Sequence, residues 1–310
     1  MKLFQRTLRT AIEFSGIALH SGEEVRVVVK PAPENTGIVF VRADLEKATS
    51  IKALWKNVTE TEMSTVIGTK KARISTIEHL MSALRGLNVD NAMVEVYGSE
   101  LPILDGSSLS YVDLIETAGL VEQNAPVKYL QVVKPVSVSL DDRFVYLLPS
   151  SEFRISCRVN YKHPSVGLQH FEYRHNTFNY VAEVAKAKTF GFLNEVAKLK
   201  EKGLALGGSY ENALVLDSDG VMNKKIMSYD DEFVRHKVLD IMGDMALCGS
   251  GTRLLAHVVA YKSGHGLHNM ALKEMYQRTG CFKLVEEPVF VDDKAYAQKA
   301  FSLLQTVSTF

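Results

Sequence analysis

Hydrophobic and polar positions change period several times along this chain. Residues 24–30 (EVRVVVK) and 37–42 are rich in β-branched side chains and flank the turn-forming PAPENTG, which predicts two strands. From Ser75 the period becomes helical. The run TIEHLMSALRG places Ile77, Leu80, Met81 and Leu84 on one face, with Gly86 past its end. Residues 91–97 predict a strand, ELPILDGSS a loop, and residues 108–120 a second helix. The stretch VEQNAPVKY around Pro126 interrupts the pattern and reads as a linker. Beyond it, strands at 132–140, 144–148 and 155–161 precede helices at about 178–186 and 192–202. The Gly-rich GLALGGS, a strand near 213–217, a long helix over roughly 230–248, a strand at 254–261 and a helix from Leu267 complete the chain. Each half runs strands first and helices later, which predicts an α+β fold in two domains, 1–126 and 127–310.

Composition narrows the function classes. The 310 residues suffice for two cores, and a hydrophobic fraction of 46% with 23% charged residues is that of an ordinary globular protein. Lys plus Arg equals Asp plus Glu, at 36 each, so no global field draws in a polyanion and no nucleic-acid partner is expected. Cys157, Cys248 and Cys281 form no CxxC pair, which argues against a disulfide framework or a cysteine-rich zinc knuckle and fits a reducing compartment. The N-terminal residues interleave charge with apolar side chains, and no stretch approaches the length of a membrane span. The expected location is the cytoplasm.

Three segments carry candidate chemistry. In DDEFVRHKVLDIMGDMALCG, His236, Asp240 and Asp244 fall along one helix face with Lys237 beside them, while Val234, Val238, Met242 and Met245 take the other. His and Asp four apart can reach one metal ion, although a solvated polar stripe has the same spacing. In RISTIEHLMSAL, His79 offers a third ligand and Glu78 an adjacent general base. Ser75-Thr76-Ile77-Glu78 also matches a capping box, in which Glu78 would merely bond its own helix start. In KSGHGLHN, His265 lies between glycines at a strand-to-helix turn, where backbone approaches a ligand closely or simply turns at the surface. His268, His20, His163, His170, His175 and His257 show no ligand spacing. AKTFGF and GLALGGS read either as pocket walls or as ordinary turns. Together the three segments supply two histidines and a carboxylate for a zinc ion, a base, and a further histidine.

At these residues the chain resembles the UDP-3-O-acyl-N-acetylglucosamine deacetylases of Gram-negative lipid A synthesis. The resemblance runs from TLRTAIEFSGIALHSG and PAPENTG through STIEHLMSALRGLNVDN, ELPILDGSS, HPSVG, AKTFGF and GLALGGSYENA to DDEFVRHKVLDIMGD and YKSGHGLHN. It implies two similar domains, each a β-sheet layered against a pair of helices, with the active site between them. It implies zinc (or ferrous iron) on His79, His236 and Asp240, with Glu78 as the catalytic carboxylate. Thr189 would bond the oxyanion, His265 would be the second acid–base group, and Asp244 would orient it. Lys237, Phe190, Phe192 and Tyr161 would contact the nucleotide sugar. An insert at about 188–217 would form an apolar passage for the acyl chain, with Leu193, Val196 and Gly208 on its wall and Gly207 leaving room. His20 falls where an inhibitory second metal is attributed to the family. The implied reaction is the committed step of lipid A synthesis, giving UDP-3-O-acyl-glucosamine and acetate, by a monomer. The rival readings are a zinc amidohydrolase of another substrate and a non-catalytic, metal-stapled nucleotide-sugar-binding module. Two departures stand out. The stretch between Gly249 and His265 is about two residues longer than the family pattern, and GLHN replaces the commoner ALNN, leaving His268 without a role.

Overall fold

Alternation sorts the valines of the first half. Val25, Val27 and Val29 of strand Glu24–Pro31 are buried, and so are Ala92, Val94 and Val96 of the antiparallel neighbour Ala92–Tyr97. These two strands are the centre of a five-stranded sheet in the order Ile12–Ile17, Glu24–Pro31, Ala92–Tyr97, Ile38–Arg42, Thr49–Lys52. Only the pair Ile38–Arg42 and Ala92–Tyr97 is parallel. The computed structural model describes residues 2–292, 296, 298, 300 and 302–304. Among the described residues its α-helices include α1 (Glu78–Gly86), α2 (Leu109–Ala118), α3 (Thr177–Glu183), α4 (Leu193–Glu201), α5 (Glu232–Met245) and α6 (His265–Gln277).

The second half is organised on Thr252–Tyr261, buried at every position after the first. Arg143–Leu148 pairs with it antiparallel, and Phe153–Asn160 and Lys128–Val132 pair with it in parallel. α5 packs on Phe153–Asn160 and Leu168–Arg174, and α6 on Val136–Leu140 and Arg143–Leu148. α1 packs directly on α5, and one hydrophobic core runs through both halves. The α+β architecture expected from the sequence is therefore present.

Two expectations need correction. Residues 121–129 (VEQNAPVKY), expected to be a linker, fall almost wholly in strands, chiefly Leu120–Pro126, which pairs antiparallel with Phe4–Leu8. Its exposed Glu122 and Asn124 hide it from a pattern search, because a two-stranded ribbon needs little apolar surface. Residues 132–140 are two strands, Lys128–Val132 and Val136–Leu140, since Pro135 has no N–H to extend a ladder.

The contact between α1 and α5 depends on a missing side chain. A Cβ on Gly243 would lie 2.1 Å from the Glu78 carbonyl oxygen, and the other near atoms are also Glu78 backbone. Neither backbone can yield without moving a helix. Gly243→Ala is expected to destabilise the protein by about 1–3 kcal/mol, the usual cost of overpacking. Urea unfolding measures this, and an unchanged midpoint would show that the two helices separate freely.

Candidate active site

α1 and α5 bring both halves of the chain to one point. His79 comes from α1, His236 and Asp240 from successive turns of α5, and their ligand atoms all lie within 4.8 Å of one another. All three side chains are buried, so the solvated-stripe reading of α5 fails. His236 Nδ1 donates to the Ala187 carbonyl at 3.2 Å, which leaves Nε2 as the bare nitrogen. That nitrogen faces Asp240 Oδ1 at 3.5 Å. Burial pushes the His236 pKa down to about 3, outweighing Asp240, so the ring is neutral at neutral pH. The contact is therefore not an ion pair. A lone pair and a carboxylate oxygen held face to face repel unless a cation lies between them. His79 is likewise pushed toward its neutral form by burial, and its Nδ1 has no hydrogen-bond partner. Two neutral imidazoles and a carboxylate suit a divalent first-row metal ion such as zinc. Lys237 Nζ donates to Asp240 Oδ2 at 2.7 Å, which orients the carboxylate and leaves Oδ1 free. Burial raises the Asp240 pKa, but the charges of Lys237 and His265 more than reverse this and hold it ionised.

Glu78 is buried beside this group, and its Oε2 accepts the Thr65 N–H at 3.0 Å. It makes no cap. The Ser75 N–H goes to the Ser99 carbonyl at 3.0 Å, and the N-cap residue of α1 is Ile77, with no side-chain bond. The capping-box reading is overturned. Just before it, Thr76 has φ 57°, an uncommon conformation for a β-branched residue, held by its hydroxyl bond to Glu100 Oε1 at 2.9 Å. Burial pushes the Glu78 pKa up to about 7, with Asp244 and Asp240 adding to the rise and His265 opposing it. His265 Nε2 lies 3.8 Å from Glu78 Oε1, while its Nδ1 donates to Asp244 Oδ2 at 2.8 Å. Burial alone would neutralise His265. The carboxylates of Asp244 and Glu78 outweigh burial and lift its pKa to about 10, so it is a cation at neutral pH.

A cavity of about 700 Å³ opens on these groups. Every residue singled out by resemblance lines it except Gly207 and Asp244, the latter lying behind His265. Thr189 is placed by two backbone bonds, from its N–H to Gly106 and from Leu214 N–H to its carbonyl, both 2.8 Å. Phe190–Phe192 and Leu214–Leu216 pair in parallel across α4. Tyr161 meets Phe190 and Phe192 with ring centroids 5.6 and 5.7 Å apart, and Lys237 Nζ lies 5.5 Å from the Phe190 centroid. α4 buries none of its residues, yet Leu193, Val196 and Leu199 line the cavity. A Cβ at Gly208 would meet nothing closer than 3.4 Å, whereas one at Gly207 would lie 2.2 Å from the Ala18 carbonyl oxygen. Gly207 therefore lets its loop pack on residues 17–19 and does not make room in the passage. His20 also lines the cavity, with its Nε2 buried and unpartnered.

A sequence comparison matches the model of the UDP-3-O-acyl N-acetylglycosamine deacetylase family to residues 5–277. The chain belongs to that family of deacetylases. Among its relatives, the UDP-3-O-acyl-N-acetylglucosamine deacetylase of Colwellia psychrerythraea strain 34H is 42% identical over 284 residues, covering 91% of this chain and 92% of that one. The protein of the same name from Geobacter sp. strain M21 is 45% identical over 284 residues, covering 92% of each.

Residue-by-residue reading missed two supports of this candidate site. Thr65 gives its N–H to Glu78 and its hydroxyl to Asp244 Oδ1, so one residue braces both carboxylates. Glu100, besides holding Thr76, accepts the backbone N–H groups of His20 and Ser21, both at 2.9 Å. Neither carries a spacing signal, because each acts on partners remote in sequence. No helix among the described residues is long and apolar enough to cross a membrane.

Proposed function

We propose that this deacetylase cleaves the acetamide of UDP-3-O-acyl-N-acetylglucosamine in the cytoplasm, the committed step of lipid A synthesis. It would work as a monomer of two domains, 1–126 and 127–310, with the site between them. The observation that supports the substrate class most is α4, whose apolar residues border a cavity rather than a protein partner. That surface awaits an acyl chain. Tyr161, Phe190, Phe192 and Lys237 suit an aromatic base and a charged nucleotide.

The ligand set His79, His236 and Asp240 suits zinc, which when bound would supply Lewis acidity that polarises the amide carbonyl and eases deprotonation of water. Glu78 takes the proton from the attacking water, a task matched to a carboxyl that titrates near neutrality. The Thr189 hydroxyl donates to the oxygen that gains charge. His265, kept cationic by Asp244, offsets the same charge and requires no proton transfer to do so. The departing amine needs a proton, supplied either by Glu78, which has taken one from the water, or by the cationic His265; both line the cavity.

Acetate release from the UDP-sugar, measured with long- and short-acyl substrates, tests the reading. A bulky side chain at Gly208 fits the backbone but intrudes on the cavity. Each buried CH₂ of the chain is worth about 0.8 kcal/mol. Gly208→Leu is therefore expected to cut kcat/KM for a long-acyl substrate by tenfold or more, roughly two methylenes' worth of binding, and to affect a short-acyl analogue little. The ratio of the two cancels any general folding defect. Equal losses on both substrates would mean that residues 193–209 do not carry the lipid.

A further inference from the structure

We propose that His268 is a positioning residue for the deacetylation, holding Asp244 in the orientation that aims His265 at the substrate. This rests on the assignment of His265 to the reaction.

His268 is fully buried in the first turn of α6, three residues after His265 and on the same helix face. Its Nδ1 lies 2.6 Å from Asp244 Oδ2, the oxygen that also meets His265 Nδ1 at 2.8 Å. An ionised carboxylate only accepts hydrogen bonds, so both imidazoles present an Nδ1–H to it. The remaining oxygen, Oδ1, accepts the Thr65 hydroxyl. Asp244 is thus held by three donors, two from α6 and one from the loop residue Thr65, and only one of them, His265, faces the cavity. On its far side His268 Nε2 meets Ser263 Oγ at 2.9 Å, which fixes the ring plane. The atoms of Asp244, His265 and His268 cluster tightly enough to resemble a second metal site. Protons already occupy the lines between them, so the cluster is a hydrogen-bond network.

The consequence is geometric. Without the His268 donor, Asp244 Oδ2 keeps a single bond, to the very ring it must orient, and the two side chains can turn together. A misplacement of an ångström in a reacting group costs up to about 10²-fold in rate. A partial loosening with Thr65 still in place should cost on the order of tenfold.

The test compares His268→Ala, His268→Asn and His268→Gln in the metal-loaded enzyme, alone and with Asp244→Ala. Asn places an amide nitrogen where Nδ1 lies, whereas Gln places one nearer Nε2. The expected result is a kcat about tenfold lower for His268→Ala at unchanged KM and metal content, most of it recovered by Asn and little by Gln. In the Asp244→Ala background, His268→Ala should cost almost nothing more, because the residues act as one unit. The inference is overturned if Gln recovers as much as Asn, if His268→Ala keeps wild-type kcat, or if its loss is equal in both backgrounds. An inactive wild-type enzyme would instead overturn the assignment of the reaction, so the two failures are distinguishable.

Discussion

Glu78→Gln is expected to lower kcat/KM by ~10²- to 10⁴-fold, the range associated with a general base, while bound metal stays stoichiometric. The amide keeps an oxygen to accept the Thr65 N–H, so α1 need not shift. The Ser75 N–H is taken by the Ser99 carbonyl, so no capping box is lost either. What disappears is a carboxyl poised near pH 7 beside His265 and within the same cavity as the His79, His236 and Asp240 group. Removing a desolvated carboxylate from a crowded anionic site should leave Tm level or raise it. The measurements are acetate release, metal content and Tm on one preparation. A variant that loses stability but keeps its rate would return Glu78 to a structural role.

Asp240→Ala should lose metal and activity together, with metal affinity weakened by at least ~10²-fold, the upper end of what outer-shell changes alone cost. His236 Nε2 and Asp240 Oδ1 face each other without a proton to share, an opposition that a cation between them relieves. A second effect separates this from simple inactivation. Lys237 pairs with Asp240, and taking one partner from a buried pair costs about 3–5 kcal/mol. Lys237 retains some solvent contact, so the lower end applies. Added zinc should raise the Tm of the wild type by mass action and leave that of Asp240→Ala unmoved. Full metal and full rate in the variant would exclude Asp240 from the site.

Periodicity in the sequence determined much of this protein. The helix over α5 was legible because His236, Asp240 and Asp244 recur every four residues between apolar positions, and the strands because valine and isoleucine cluster between turns. The deacetylase family was legible because many ordered motifs agree over nearly the whole chain. Local pattern could not decide between a ligand and a surface charge, or between a base and a cap. Those choices depend on burial and on partners far away in the chain, such as Ser99 for the Ser75 amide and Thr65 for Glu78. Pattern also failed where strands were polar or broken by proline, at 120–126 and 132–140, since pairing in space rather than apolar content makes them strands. His268 shows the limit most clearly. Expecting α6 to begin at Leu267 left His265 in a turn and His268 without a partner. The helix begins at His265, and that one displacement puts both rings on the same face, where only the packing of α5 against α6 supplies the carboxylate they share.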